Sequence, residues 1–315
     1  MKTSGHVPVP GGHELYYELF GAPDGLPVLY LHGGPGAGFT EKDKIFFDPD
    51  KHHVLFFDQR GAGRSRPFAS LKNNTTGDLI RDINLLLERF GMERVLLFGG
   101  SWGSTLALVY AIRYPERVSG LLLRGIFPGH IESTKYYING GVRTFFPDAW
   151  ERFLSHVPQK NRLHPARYYY RMMQSRDEAV REKYSYEWAF YEFSIFKQEP
   201  LQENEIDTLL RNYSYRSLAP MEAWYVKNNF FLPDNYIYDH AEALSQFPVS
   251  IVHGRYDMIC PPVYAWELHR KIAGSRLRFT CAGHAASEPE TEAALKEELD
   301  ILYDEIQNRH EHEQT

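Results

Sequence analysis

Over the first 127 residues, short apolar runs alternate with longer stretches of helical spacing. Val28-Leu29-Tyr30-Leu31 and Val95-Leu96-Leu97-Phe98 are continuous apolar runs of strand length, the pattern of strands buried on both faces of a parallel sheet. Leu79 to Phe90 and Thr105 to Tyr114 follow helical spacing, the second stopped before Pro115 and apolar enough to be buried. Leu121-Leu122-Leu123 predicts the next strand, which makes a repeating βα pattern. From Pro128 to about His240 aromatic and charged residues are dense, strand runs vanish and helical spacing dominates. Strand signals return at Val249-Ser250-Ile251-Val252 and at Leu277-Arg278-Phe279-Thr280. The expected class is α/β, with a mostly parallel central sheet, helices on both faces and an inserted α-helical cap over the strand ends. On this reading residues 1–127 and 241–315 are two parts of one core and 128–240 the cap. The tail from Asn308 to Thr315 is expected to be disordered.

The ends of the predicted strands carry the chemistry. Val95 to Phe98 runs into Gly99-Gly100-Ser101-Trp102-Gly103, a G-x-S-x-G turn between strand and helix. Glycines two before and two after the serine permit a turn sharp enough to expose its hydroxyl, as a nucleophile requires. Such a serine needs a base to take its proton and an acid to orient that base, and α/β-hydrolases supply them in the order Ser, Asp/Glu, His. Asp257 follows the strand Val249 to Val252, and His284 follows the strand Leu277 to Thr280. Ligand-binding groups of open α/β sheets occupy such positions beyond the carboxyl ends of strands. The glycine-rich loop His32-Gly33-Gly34-Pro35-Gly36 ends another strand. Gly34 is therefore the candidate for one oxyanion donor, and the amide of Trp102, after the nucleophile, for the other. The loop is not a phosphate loop, because no Gly-Lys-Ser/Thr or G-x-G-x-x-G follows. His32 and His253 are read as structural.

Within the insert, Trp188, Tyr191, Glu192, Ile195 and Phe196 fall on one helical face, which puts Glu192 in an apolar stripe. A buried carboxylate there needs a cation or hydrogen-bond partner. Glu222 has a similar but less regular setting. Taken alone, each also fits the edge of an ordinary amphipathic helix.

His32-Gly33-Gly34-Pro35-Gly36, Asp58-Gln59-Arg60-Gly61-Ala62-Gly63-Arg64-Ser65, Gly99 to Ser104 and His253-Gly254-Arg255-Tyr256-Asp257 together resemble the proline iminopeptidase family of α/β-hydrolases. The similarity runs from about Tyr16 to His284 and includes Asn73-Asn74-Thr75-Thr76 and Phe146 to Trp150. It departs at Ala62, where many members have cysteine, and at Gly77, where an aromatic often follows; neither touches the triad. The resemblance implies release of an N-terminal residue, preferably proline, from peptides, without a metal or organic cofactor. It implies that Glu192 and Glu222 hold the free amino terminus and that Arg124 lies near the site. Two carboxylates facing an ammonium would reject internal or capped residues. A carboxylesterase or amidase on the same scaffold is the alternative, and a non-catalytic receptor of this fold a further one. Epoxide hydrolases and dehalogenases are disfavoured because they use an aspartate at the position of Ser101.

The formal net charge of −6 over 315 residues leaves no basic footprint, so nucleic acid is not an expected partner. Residues Met1 to Pro10 lack the apolar core of a signal peptide and no run reaches membrane-span length. The expectation is a soluble cytoplasmic protein acting on peptide substrates, its oligomeric state left open. Two cysteines suggest no disulfide framework, and Cys260 and Cys281 are expected to be reduced, packed thiols near Asp257 and His284.

Overall fold

The computed structural model describes residues 3–138, 140–212 and 215–313. Eight strands form one sheet: β1 (Thr3–Val9), β2 (His13–Gly21), β3 (Leu26–Leu31), β4 (His52–Phe57), β5 (Val95–Gly100), β6 (Val118–Arg124), β7 (Val249–Gly254) and β8 (Arg276–Thr280). Their spatial order is β1-β2-β4-β3-β5-β6-β7-β8. The first two pairings, β1 with β2 and β2 with β4, are antiparallel; all others are parallel. The continuous apolar runs mark the central strands because those strands are covered on both faces. From Val95 to Leu97 and from Leu121 to Leu123 no side chain retains measurable exposure.

Eleven helices are described: α1 (Thr76–Arg89), α2 (Trp102–Arg113), α3 (Ile131–Ile138), α4 (Pro147–Ser155), α5 (Pro165–Met173), α6 (Glu178–Ser194), α7 (Glu203–Asn212), α8 (Tyr215–Lys227), α9 (Tyr236–His240), α10 (Pro262–Lys271) and α11 (Pro289–Glu313). Thr75 and Asp78 start α1 with a reciprocal capping box. Apolar faces of α1, α2 and α10 join one hydrophobic cluster of the sheet, while Leu295, Leu299, Leu302 and Ile306 of α11 join the cluster on the other. The sheet is therefore layered on both faces, as expected.

Among the described residues between β6 and β7 there is no strand; this stretch holds α3 to α9. Its centre is aromatic: Phe153 stacks on Tyr169 at 4.2 Å between ring centroids and meets Trp188 and Tyr191. The expected stripe is shorter than its spacing suggested, since α6 ends at Ser194 and leaves Ile195 and Phe196 beyond it. The tail also differs from expectation, because α11 carries helix through Asn308 to Glu313. Polar residues there extend a helix whose earlier turns are anchored in the core, and that packing supplies what the local composition lacks. Gln314 and Thr315 lie outside the described residues.

Candidate active site

Chain geometry at the end of β5 presents Ser101. Its φ of 57° and ψ of −125° lie where L-residues are strained. The flanking glycines are required by contact: a Cβ on Gly99 would sit 2.2 Å from the carbonyl oxygen of Gly103, and one on Gly103 would sit 2.0 Å from that of Leu31. The Ser101 amide donates to the Arg124 carbonyl at 2.9 Å, tying the turn to β6.

Asp257 is buried just after β7. Its Oδ1 accepts from the amides of Ile259 at 3.0 Å and Cys260 at 2.8 Å, and its Oδ2 meets His284 Nδ1 at 2.7 Å. Burial opposes ionisation of this carboxyl, but the charge and hydrogen bond of His284 outweigh it and hold the group below the usual carboxylate range. With Nδ1–H directed at Asp257, the Nε2 of His284 is left as the acceptor. His253 is structural, as expected. Its Nδ1 accepts from the Ile126 amide at 3.1 Å and its Nε2 donates to the Cys260 carbonyl at 2.8 Å. Burial pushes its pKa down, keeping it neutral.

The His284 loop is fixed from three sides. Its amide donates to Phe196 O at 2.9 Å, just beyond α6, and its carbonyl accepts from Arg124 Nη1 at 2.5 Å. Glu288 takes the amide of Gly283 on one oxygen and that of Gln198 on the other, at 2.9 and 3.1 Å. Arg124 thus sits beside the site through the histidine's backbone. The Cys260 thiol faces the Ser101 side chain. Its sulfur, a carboxylate oxygen of Asp257 and a ring nitrogen of His284 lie within 4.8 Å of one another. Three elements thereby bring Ser101, Asp257 and His284 to one place. These donors have metal-ligand chemistry, but the carboxylate is already engaged by two amides and the imidazole, and nothing in the arrangement calls for a metal. Both cysteines are free; Cys260 is buried, whereas Cys281 is exposed rather than packed. The edge strand β8 leaves its end uncovered, which hydropathy alone does not reveal.

The loop after β3 lies against the elbow, where a Cβ on Gly33 would be 3.5 Å from that of Ser101. Gly34 has a φ of 107°, and a Cβ there would meet the Gly36 amide nitrogen at 2.6 Å. Trp102 is the first residue of α2, so its amide has no intrahelical acceptor. A buried network holds the two segments together: Gln59 donates to His32 Nε2 through its amide at 2.9 Å and accepts from Trp102 Nε1 at 2.9 Å. His32 is accordingly a brace, kept neutral by burial.

Glu192 on α6 and Glu222 on α8 face each other as a carboxyl pair. Trp188 Nε1 donates to Glu222 Oε2 at 2.7 Å. Burial, followed by the neighbouring Glu192, pushes the Glu222 carboxyl far up, and burial also raises Glu192. Glu192 keeps some surface open, yet its Oε2 is buried and has no hydrogen-bond partner among the described residues. The hydroxyl of Tyr137 on α3 is buried, unpartnered in the same sense, and close enough to act on Glu192. The Tyr137 hydroxyl and Glu192 Oε2 are thus a donor and an acceptor buried beside one carboxyl pair. The sequence reading missed Tyr137, the Trp188 indole and Glu288. Tyr137 stands in Tyr136-Tyr137-Ile138, which has no pattern to set it apart from core residues.

Fold and site together define an α/β-hydrolase, and a family model for the alpha/beta hydrolase fold matches residues 27–291. The chain is 41% identical over 293 residues to a proline iminopeptidase of Xylella fastidiosa strain 9a5c, covering 91% of this chain and 92% of that protein. It is 38% identical over 302 residues to one from Neisseria gonorrhoeae, with 95% and 96% covered, and 38% identical over 297 residues to one from Arabidopsis thaliana, with 93% and 78% covered. Among solved structures, a proline iminopeptidase-related protein from Thermus thermophilus superposes with a TM-score of 0.66 at 23% identity, covering 96% of this chain and 99% of that one. An esterase from Exiguobacterium antarcticum gives 0.66 at 20% identity, covering 95% and 99%. The chain belongs to the proline iminopeptidase family of α/β-hydrolases.

Proposed function

We propose that this chain is a serine aminopeptidase that releases an N-terminal residue, preferably proline, from peptides through an acyl-enzyme. The observation that carries the reading is the buried Glu192–Glu222 pair with its unpartnered Glu192 Oε2, close enough to His284 for the two charges to interact. A free α-amino group is the feature that distinguishes the first residue of a peptide, and its ammonium brings the positive charge that a buried acid pair can accept.

In this mechanism His284 Nε2 takes the Ser101 proton as Oγ attacks the carbonyl carbon of the first residue. Asp257 holds the imidazole tautomer and stabilises the imidazolium. The amides of Gly34 and Trp102 donate to the oxyanion, each contributing about 3 kcal/mol at the transition state. The tetrahedral intermediate collapses with cleavage of the C–N bond, and His284 returns the proton to the leaving amine. A water, deprotonated by His284, then attacks the acyl-serine; collapse frees the amino acid and gives the proton back to Ser101. Arg124 contributes by holding the His284 backbone.

The division into core residues 1–127 and 241–315 and cap residues 128–240 belongs to the same proposal. It is supported by the change from strands to helices between β6 and β7. Among the described residues no helix is long and apolar enough to cross a membrane. Two free thiols fit the proposed cytoplasmic setting. The test is a panel of aminoacyl-naphthylamides with N-acetylated controls. Prolyl substrate should be cleaved fastest, acetylation should abolish turnover, and Ser101→Ala should remove activity with the fold retained. Equal rates on acetylated and free substrates would refute the assignment.

A further inference from the structure

We propose that Thr76 is a positioning residue for the nucleophile elbow: its hydroxyl, with the side chain of Asn74, holds the end of α8 and the strained turn beyond it, which keeps Tyr225 and Phe230 against Trp102, the residue after Ser101. The inference rests on Ser101 as the nucleophile, and not on which residue is released from the peptide.

The turn stands out by its backbone. Asn229, Phe230 and Phe231 have φ of 48°, 53° and 54°. Asparagine tolerates this left-handed region, but two consecutive phenylalanines there are outliers, and such a conformation persists only where its surroundings over-determine it. Two tethers from the segment that starts α1 supply that constraint. The buried Thr76 Oγ1 donates to the Phe230 carbonyl at 2.5 Å. The Tyr225 hydroxyl donates to Asn74 Oδ1 at 3.0 Å and Trp224 Nε1 to the Asn74 carbonyl at 3.1 Å. Asn74 is itself fixed to the core, its Nδ2 donating to the carbonyls of Arg60 and Ser70 at 2.9 and 3.0 Å. What these tethers hold is the wall around Trp102. The Phe230 ring stacks on that of Trp102 with centroids 5.8 Å apart and meets Phe127 edge-on at 4.8 Å, while Tyr225 meets Trp102 edge-on at 4.9 Å. Trp102 retains no measurable exposure, so a shift of Phe230 must be taken up by the indole or leave a void beside it. The amide proposed to face the oxyanion is the one that joins this tryptophan to Ser101. A relaxed turn therefore acts on the transition state, where the oxyanion exists, and leaves ground-state binding unchanged.

The test compares Thr76→Val, which keeps the shape of the side chain and removes its donor, with Thr76→Ser, which keeps the donor. Each full-length variant is assayed at a temperature where circular dichroism shows it fully folded. Two rates are read: phosphonylation of Ser101 by a fluorophosphonate, which needs no free amine, and turnover of prolyl-naphthylamide. Thr76→Val should lower the phosphonylation rate and kcat about tenfold with KM within about twofold of wild type, a fraction of the roughly hundredfold that a misplacement of about 1 Å costs. Thr76→Ser should stay within about twofold of wild type in all three quantities. A tether that only holds the fold together would lower Tm in Thr76→Val and leave both rates at the wild-type value; that result would overturn the proposal, as would equal losses in Thr76→Val and Thr76→Ser. If Thr76→Val does not fold, Tyr225→Phe keeps its ring on Trp102 and loses the bond to Asn74; it should lower the same two rates about threefold, and wild-type rates in it would overturn the proposal. A wild type that the fluorophosphonate does not label removes the nucleophile and this inference with it, whereas labelling of Thr76→Val at wild-type speed removes this inference alone.

Discussion

Gly283→Ala tests whether the contact between the insert and the histidine loop sets the position of the proposed base. A Cβ at Gly283 would lie 2.5 Å from the Gln198 nitrogen and 2.6 Å from the Lys197 carbonyl carbon, both backbone atoms that cannot swing aside. The first is roughly 0.9 Å inside the 3.4 Å at which ordinary contact begins, so either the Lys197–Gln198 segment or the His284 loop must move by about that much. Retreat of the segment strains the Phe196 carbonyl bond to the His284 amide, while movement of the loop strains the Arg124 and Glu288 contacts. Displacement of a reacting group by about 1 Å costs on the order of a hundredfold in rate, and overpacking costs about 1–3 kcal/mol of stability. The variant should therefore show kcat on prolyl-naphthylamide reduced about a hundredfold, with a smaller change in KM. Steady-state kinetics and thermal denaturation on one preparation would measure both effects. Wild-type kcat in a variant of unchanged Tm would refute the reasoning, because the contact would then have relaxed without reaching His284.

Asp257→Asn should lower kcat about ten-thousandfold while leaving KM within a few fold, since it leaves the histidine with the wrong tautomer; a loss under tenfold in pre-steady-state assays would exclude Asp257 as the orienting acid. Glu222 is held above its ordinary value of 4.5 in the folded chain, so the folded state keeps its proton more tightly than the unfolded state does. That stabilisation is complete below 4.5 and is lost as pH rises toward the folded value. Glu222→Gln should consequently gain Tm relative to wild type as pH rises above 4.5 in buffered thermal melts. A gap that stays constant across that range would show the carboxyl to be unperturbed.

Residues whose burial is dictated by the backbone were the most legible. Val95 to Phe98 announces a central strand because both of its faces are covered, and Gly99 and Gly103 are fixed by the backbone atoms they touch. Ser101, Asp257 and His284 were expected from the G-x-S-x-G turn and the order of strands, and each follows its strand in the structure. Glu192 stood out in an apolar stripe and Glu222 less clearly, each also fitting the edge of an amphipathic helix, and their pairing depends on how α6 packs against α8. Tyr137, the Trp188 indole and Glu288 escaped notice because what they face lies far along the chain or in no repeating pattern. The Trp188 indole reaches a carboxyl 34 residues away, and Glu288 serves two amides 90 and 5 residues distant. The helix beyond Asn308 was missed for the opposite reason, since its local sequence is polar and its support comes from earlier turns in the core.

Ser101, Asp257 and His284 all follow strands of the sheet, while Glu192, Glu222, Trp188 and Tyr137 all belong to the helices between β6 and β7. On the proposed reading, bond cleavage and the choice of which molecule is cleaved are inscribed on separate lengths of chain, joined by the backbone contacts around His284 and by bonds of α8 to Gly36 and Asn74. A descendant could exchange one set of helices for another and acquire new clientele without disturbing the reaction itself. The same separation defines where such a transplant must be cut: Phe196 and Gln198 have to travel with a matching Glu288, or the imported selector would leave the base adrift.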